Sequence, residues 1–219
     1  MHSTDTTRQR FDQLAQTWDQ KPSRVALARS VATTITELVP LTDQMDAMEY
    51  GCGTGLVTLF LASLLREVDA VDSSGEMLVR LREKIAEQGV KNIHPLPLDL
   101  EHHGWDRQIL LSGTGYDLVL TSMTLHHITD PADLIQHFFS LIRPGGYLTI
   151  ADLDREDGSF HGDTPDVRHH GFERDHLKAL MATAGFEDVR AVTAHTIRRS
   201  RDDGTEARYP VFVACGRKV

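Results

Sequence analysis

The sequence predicts an α/β fold built on an open, mostly parallel sheet, and three observations predict it. The stretch Ala47-Met48-Glu49-Tyr50-Gly51-Cys52-Gly53-Thr54-Gly55-Leu56 reads as a short buried strand, a glycine turn and the start of a helix. Beyond it, short apolar runs alternate with longer stretches whose apolar residues recur at helical spacing, which is the pattern of strand–helix units. The chain then closes on two strand-like runs, Val189 to Ile197 and Tyr209 to Cys215, joined by the charged turn Arg198 to Arg208. That is a terminal antiparallel hairpin on a sheet that is otherwise parallel. With 219 residues, 40% of them hydrophobic, the chain has enough apolar material for one large domain.

Each element follows from its local pattern. Residues 1–10 are polar and read as a mobile start. Phe11, Leu14, Ala15 and Trp18 have helical spacing, and Pro22 disfavours helix at Lys21. Ser23 to Leu38 form a second helix with Val25, Ala28, Val31, Ala32, Ile35 and Leu38 on one face. After the glycine turn a third helix runs to about Arg66, and Val68 to Asp72 form the second strand. A fourth helix stops at Gly89. Asn92 to Leu98 make a poor strand, because Pro95 and Pro97 lie in it, so it is expected at a sheet edge. Tyr116 to Ser122 is the clearest strand of the chain. Asp130-Pro131 opens another helix, Arg143-Pro144-Gly145-Gly146 ends it, and Tyr147 to Asp152 form the fifth strand. Leu153 to Gly171 lack periodicity and are rich in Asp, Gly and His. Glu173 to Ala184 are helical.

The glycine turn sets the cofactor question. A dinucleotide turn of the form G-x-G-x-x-G needs a small residue where Leu56 stands, so a pyrophosphate fits it less well. The pattern present is E-x-G-x-G-x-G. Together with Asp72 to Leu78, Asp99, Tyr116 to Ser122 and Pro144 to Gly146, in that order, it resembles the class I S-adenosylmethionine methyltransferases of the small-molecule type. The resemblance covers nearly the whole chain. It implies a Rossmann-like three-layer α/β/α sandwich, with a seven-stranded mostly parallel sheet and an antiparallel terminal strand. It also implies a helical segment over residues 1–40 that covers the cofactor, ahead of a methyltransferase domain over residues 41–219.

The same resemblance assigns candidate residues. Gly51, Cys52, Gly53 and Gly55 would support the methionine and ribose parts of S-adenosylmethionine, the product being S-adenosylhomocysteine. Glu49 would fix the turn or the ligand's amino group. Asp72 stands where an acid takes up the ribose hydroxyls, its other reading being a cap on the next helix. Ser73 and Met77 belong to the stretch that meets the adenine, and Asp99 with the N–H of Leu100 would hold its edge. Ser122 ends the fourth strand. Trp18 is either a cofactor cover or a core anchor.

Ligands of open α/β sheets bind beyond the carboxyl ends of the strands. His126, His127 and Asp152 lie there and are candidate bases, each with a second reading as a cap or supporting residue. His161, His169 and His170 lie in the long loop and are read as a substrate lid in preference to a metal site, the other reading being a solvated loop. The formal net charge of −9 argues against a broad basic nucleic-acid surface. The Arg198-Arg199-Ser200-Arg201 cluster is the one candidate patch for an RNA or protein substrate, and a solvated turn explains it equally well. Two cysteines imply no disulfide framework. No run suits a membrane span, the polar first residues show no secretory signal, and the cytoplasm is the simplest location. The expected function is methyl transfer to a small-molecule acceptor by a monomer or homodimer. The alternatives are a macromolecule methyltransferase and a non-catalytic binding module.

Overall fold

The computed structural model describes residues 3–98, 115–162, 164, 166–200 and 204–219, with side chains from residue 7 onward. Within them, strands β1 (Asp46–Tyr50), β2 (Glu67–Asp72), β3 (Ile93–Pro97), β4 (Tyr116–Ser122), β5 (Ile142–Leu153), β6 (Phe186–Ser200) and β7 (Glu206–Lys218) form one sheet in the order β3-β2-β1-β4-β5-β7-β6. Strands β1 to β5 are parallel, whereas β7 lies antiparallel between β5 and β6. The order reverses between β1 and β4, which opens a crevice at their carboxyl ends.

Alternation along the strands feeds two cores. Ala47, Leu118, Leu120, Val211 and Val213 face one side, which helices α2 (Pro22–Leu38), α3 (Leu56–Leu61) and α4 (Gly75–Gln88) cover. Met48, Val119, Phe212 and Ala214 face the other, under α5 (Pro131–Leu141) and α6 (Arg174–Ala184). All five residues of β1 are buried, because it is paired on both edges and covered on both faces. The prolines of β3 are accommodated because β3 is the edge strand and pairs with β2 alone.

Three boundaries differ from the sequence expectation. The polar start is helical: α1 spans Ser3–Leu14 and continues as a 3-10 turn over Ala15–Gln20. The third helix stops at Leu61, and a short 3-10 turn over Ala62–Leu64 follows it. The terminal strands are longer than expected, and the charged segment stays in the ladder up to Ser200 and again from Glu206. Charge compensation explains this: Arg198 and Arg208 are cross-strand partners, and both bond Glu206 Oε1, at 3.2 and 3.0 Å.

At the opposite end of the sheet from the crevice, the first residue of β1 anchors an ion network. The Asp46 carboxylate accepts from the guanidiniums of Arg66 and, at 2.9 Å, Arg143, and Arg143 also bonds Asp117 at 2.6 Å. Arg66 first, and then Arg143, hold the Asp46 carboxyl below its ordinary range. A lowered carboxylate pKa contributes stability above the unfolded value and loses it as pH falls through the folded one. Arg66 is half exposed, so solvent screens part of the effect. Asp46→Asn should therefore cost about 1–2 kcal/mol at pH 7. Urea unfolding should show the two proteins converging in acid, once Asp46 of the wild type is protonated. Equal stability at pH 7 would contradict this account of the network.

Candidate active site

A cavity of about 700 Å³ opens at the crevice beyond β1, β2 and β4. The glycine turn forms its floor. Gly51 and Gly55 have φ of +72° and +76°, and neither has room for a side chain: a Cβ on Gly51 would lie 2.3 Å from Thr124 Oγ1, and one on Gly55 2.4 Å from Leu81 Cδ1. Gly53 differs. A Cβ there would meet nothing closer than Met77 Sδ at 4.0 Å, so its bare backbone faces the cavity, where a ligand can lie against it.

Two carboxylates support this floor. Asp72, at the end of β2, accepts from Gly53 N at 2.7 Å through one oxygen and from Ser74 N at 2.8 Å through the other. It therefore joins the turn to the start of α4, where Ser74 Oγ caps Met77 N. Each oxygen keeps a lone pair for a hydroxyl donor. Burial raises the Asp72 carboxyl to about 6, against the lowering effect of the two backbone N–H groups. Glu49 is 2% exposed and accepts from Thr58 Oγ1, which ties β1 to α3. Burial pushes its carboxyl up to about 8. Cys52 is buried in the turn, and its thiol is likewise pushed up by burial. Ser73, Met77, Leu98 and Ser122 line the same end of the cavity. Asp99 and Leu100 lie outside the described residues.

The N-terminal segment covers the cavity, and its attachments are polar. Asp12 accepts from Ser74 Oγ at 2.6 Å. Asp19 accepts from Thr54 Oγ1 at 2.6 Å and from Lys84 Nζ at 2.7 Å. Arg10 makes two bonds, of 2.8 and 2.7 Å, to buried Asp166 in the loop after β5. Trp18 is half-buried on the cavity wall, edge-on to Phe11 and stacked by Arg24 with its Cζ 3.6 Å from the ring centroid.

The far end of the cavity gathers three histidines. His126 Nδ1 lies 2.8 Å from Asp152 Oδ1, and the backbone N–H of His126 bonds the other oxygen at 3.1 Å. Asp152 is fully buried and does not line the cavity, a placement that accords with its second reading as a supporting residue. His127 Nδ1 lies 2.8 Å from the Asp166 carbonyl, which can only accept, so Nε2 carries the lone pair. Burial, and then His126, lower His127 to about 4; burial and the same neighbour lower His161 to about 3. Their rings touch: His126 is 4.2 Å from His127 and 4.7 Å from His161, centroid to centroid. The Nε2 of His161 is buried without a hydrogen-bond partner. Among the described residues no three His, Cys, Asp or Glu side chains form a metal-ligand set.

The long loop is only partly what its composition suggests. His161 reaches the cavity wall, whereas His169 and His170 do not. His169 N and Arg168 N bond the His126 carbonyl, and His169 Nε2 bonds the Ile128 carbonyl at 3.0 Å, which turns that ring away. His170 is exposed beside Glu156. The loop is also pinned to the sheet by hydrogen bonds between Leu153 to Glu156 and His170 to Phe172. Of the arginine cluster, Arg198 and Arg199 are exposed and both border the cavity, and Arg201 lies outside the described residues. Arg10, Asp12, Asp19, Arg24, Thr58 and Asp166 were missed. Only the F-D and W-D pairs around Asp12 and Asp19 carried a signal that could have found any of them.

Comparison with known proteins extends the picture. Residues 23–191 match a family described as "Methyltransferase domain". The chain is similar to a ubiquinone biosynthesis O-methyltransferase of Caulobacter vibrioides, 33% identical over 112 residues, covering 51% of this chain and 42% of that one. It is similar to a malonyl-[acyl-carrier protein] O-methyltransferase of a Marinomonas species, 26% identical over 190 residues, covering 83% and 63%. The chain thus spans about half the length of the curated relatives it matches. The crystal structure of a SAM-dependent methyltransferase from Aquifex aeolicus superposes with a TM-score of 0.65 at 19% identity, over 97% of this chain and 98% of that one. No helix among the described residues is long and apolar enough to cross a membrane.

The raised Glu49 carboxyl gives a measurable linkage. At pH 7 a group with a pKa of about 8 is mostly protonated. A cationic ligand group beside it favours the carboxylate, so binding releases a proton, and affinity rises with pH up to about 8. In the ligand-free protein the sign is opposite: stability is fully present below the unfolded value and falls as pH rises from about 4.5 to about 8. Calorimetry of S-adenosylhomocysteine binding at pH 7 should therefore give enthalpies that differ between phosphate and Tris buffers by the heat of the released proton. Buffer-independent enthalpies would contradict a role for Glu49 at the ligand.

Proposed function

This chain belongs to the class I S-adenosylmethionine-dependent methyltransferases, and on that premise we propose that it methylates a small molecule seated in the cavity, at an oxygen whose proton His126 removes. The cradle fits the cofactor: a glycine turn bare at Gly53, two carboxylates beneath it and an apolar wall at Met77 and Leu98. Asp72 is proposed to hold the ribose hydroxyls, Glu49 the amino group, and Trp18 to close the cavity from above. S-adenosylmethionine, when bound, supplies an electrophilic methyl group. The protein's part is then to align the acceptor, exclude water and take the acceptor's proton.

The observation that carries this reading is the pairing of His126 with Asp152. A carboxylate bonded to Nδ1 fixes the ring so that Nδ1 carries the proton and Nε2 is free to accept one. The same carboxylate offsets the charge that His126 gains. His127 and His161, both neutral at pH 7, bring no positive charge that would oppose protonation of His126. The Nε2 of His161, buried beside the His126 ring, has no hydrogen-bond partner. An oxygen acceptor is favoured because both relatives above are named O-methyltransferases. A cavity of about 700 Å³ suits a cofactor with a small acceptor. A nucleic-acid substrate is disfavoured by the formal net charge of −9.

The test is turnover of methyl-labelled S-adenosylmethionine with a panel of small hydroxy compounds. His126→Ala should lower kcat by about 10²–10⁴-fold with S-adenosylhomocysteine affinity unchanged. Asp152→Asn should lower kcat less and shift the pH profile of kcat. Wild-type kcat in His126→Ala would rule out His126 as the base, and label found only in protein or RNA would rule out the small-molecule acceptor.

A further inference from the structure

The cavity holds a contradiction of charge that the reaction does not require. In a chain of formal net charge −9, its walls carry Arg10, Lys21, Arg24, Arg198 and Arg199. Four of these are accounted for by position or partner, Lys21 lying beside Arg24, whose backbone N–H its carbonyl accepts at 3.0 Å. Arg10 is held by both oxygens of Asp166, and Arg198 is paired with Glu206. Arg24 lies on the cofactor side: it bonds the Trp18 carbonyl at 3.1 Å and stacks on Trp18, while the adjacent Asp19 holds Thr54 of the glycine turn. With the cofactor on the glycine turn as proposed, Arg24 would be placed to take up its one carboxylate.

Arg199 is on the other side. It stacks on Phe160, Cζ 4.0 Å from the centroid, and donates to the Phe160 carbonyl. Tyr209 lies beneath at 5.8 Å. Phe160 touches His161 at 4.6 Å, and His161 touches His126 at 4.7 Å. Arg199 is therefore joined to the proposed base through two intervening rings, on the acceptor side of the cavity. Its placement is built into the sheet. Arg190 bonds the Leu38 carbonyl at 2.8 Å and His195 bonds Ser30 at 3.1 Å, so β6 runs along α2 toward the cavity mouth. Ile197, on the same face of β6 as Arg199, lines that mouth. Among the described residues no carboxylate lies within ion-pair distance of Arg199. A guanidinium stacked on an aromatic face keeps the N–H edge that binds a carboxylate or phosphate.

We infer that the acceptor carries an oxyanion, a carboxylate or a phosphate, which Arg199 binds while the methyl-accepting atom lies at His126 and His161. This rests on the small-molecule reading above and names its substrate class. The wall between the two ends is apolar, at Phe160, Ile128 and Met123, so the acceptor joins an anionic head to an apolar body.

The test uses the full chain saturated with S-adenosylhomocysteine and three probes of one shape: phenyl phosphate, benzoate and uncharged phenol, titrated by calorimetry. One or both anions should bind more tightly than phenol, and whichever binds better identifies the head group. Arg199→Met, which keeps the packing on Phe160, should weaken the preferred anion about tenfold or more. Arg199→Lys should recover part of that loss, and neither variant should change S-adenosylhomocysteine affinity, which also reports correct folding. Arg24→Met should do the reverse, weakening S-adenosylhomocysteine. Arg208→Met, outside the cavity, should change nothing. Equal binding of all three probes, or anion binding indifferent to Arg199, overturns the inference and leaves the small-molecule reading intact. Binding of no probe, with label entering only macromolecules, overturns both.

Discussion

The site depends on one carboxylate doing two backbone jobs at once. Asp72 stands at the end of β2, yet its oxygens reach Gly53 in the turn after β1 and Ser74 at the entry to α4. Without it, these two hydrogen bonds between segments that leave adjacent strands would be lost, and the N–H groups of Gly53 and Ser74 would be left unsatisfied beneath the cavity. The glycines make the approach sterically possible, because Gly51 and Gly55 are in contact with Thr124 and Leu81 where a side chain would collide. Sheet pairing brings the strand ends together, the glycines remove the bulk, and the carboxylate fixes what remains.

That floor explains the arrangement above it. Asp12 reaches the same Ser74 that Asp72 holds, and Asp19 reaches Thr54 in the same turn, so the cover is attached to the floor. Arg10 then carries the cover across to Asp166, beside the histidines. The two ends of the cavity are joined by polar bonds from one N-terminal segment, and each end has its own arginine. Acidic groups concentrate under the glycine turn. Neutral histidines and Arg199 concentrate at the other.

The sheet, its terminal hairpin and the floor were legible in the sequence because their signals are local. Glycine spacing, a buried run and an acid at the end of the next strand need no knowledge of distant residues. The acceptor end was not legible, because its contacts join residues far apart in the chain: Arg10 with Asp166, His126 with Asp152 and Arg199 with Phe160. Composition also misled. The density of histidines between Leu153 and Gly171 suggested one lid, but backbone bonds to the His126 carbonyl turn His169 outward and leave His161 alone at the cavity. Arg199 is exposed, as its charged neighbours suggested, but its stacking on Phe160 at the cavity mouth joins residues far apart in the chain and left no local signal.

The measurement that bears most directly on this account is the affinity of Asp72→Ala for S-adenosylhomocysteine, taken with its thermal unfolding. If Asp72 both clasps the turn and receives the cofactor, affinity should fall by about 1.5–3 kcal/mol, the range for hydrogen bonds to a charged group. The variant should still unfold cooperatively as a folded protein, because the residue lies at a strand end beside the cavity. Wild-type affinity in a folded variant would show that Asp72 only caps α4, and the site as described here would not stand.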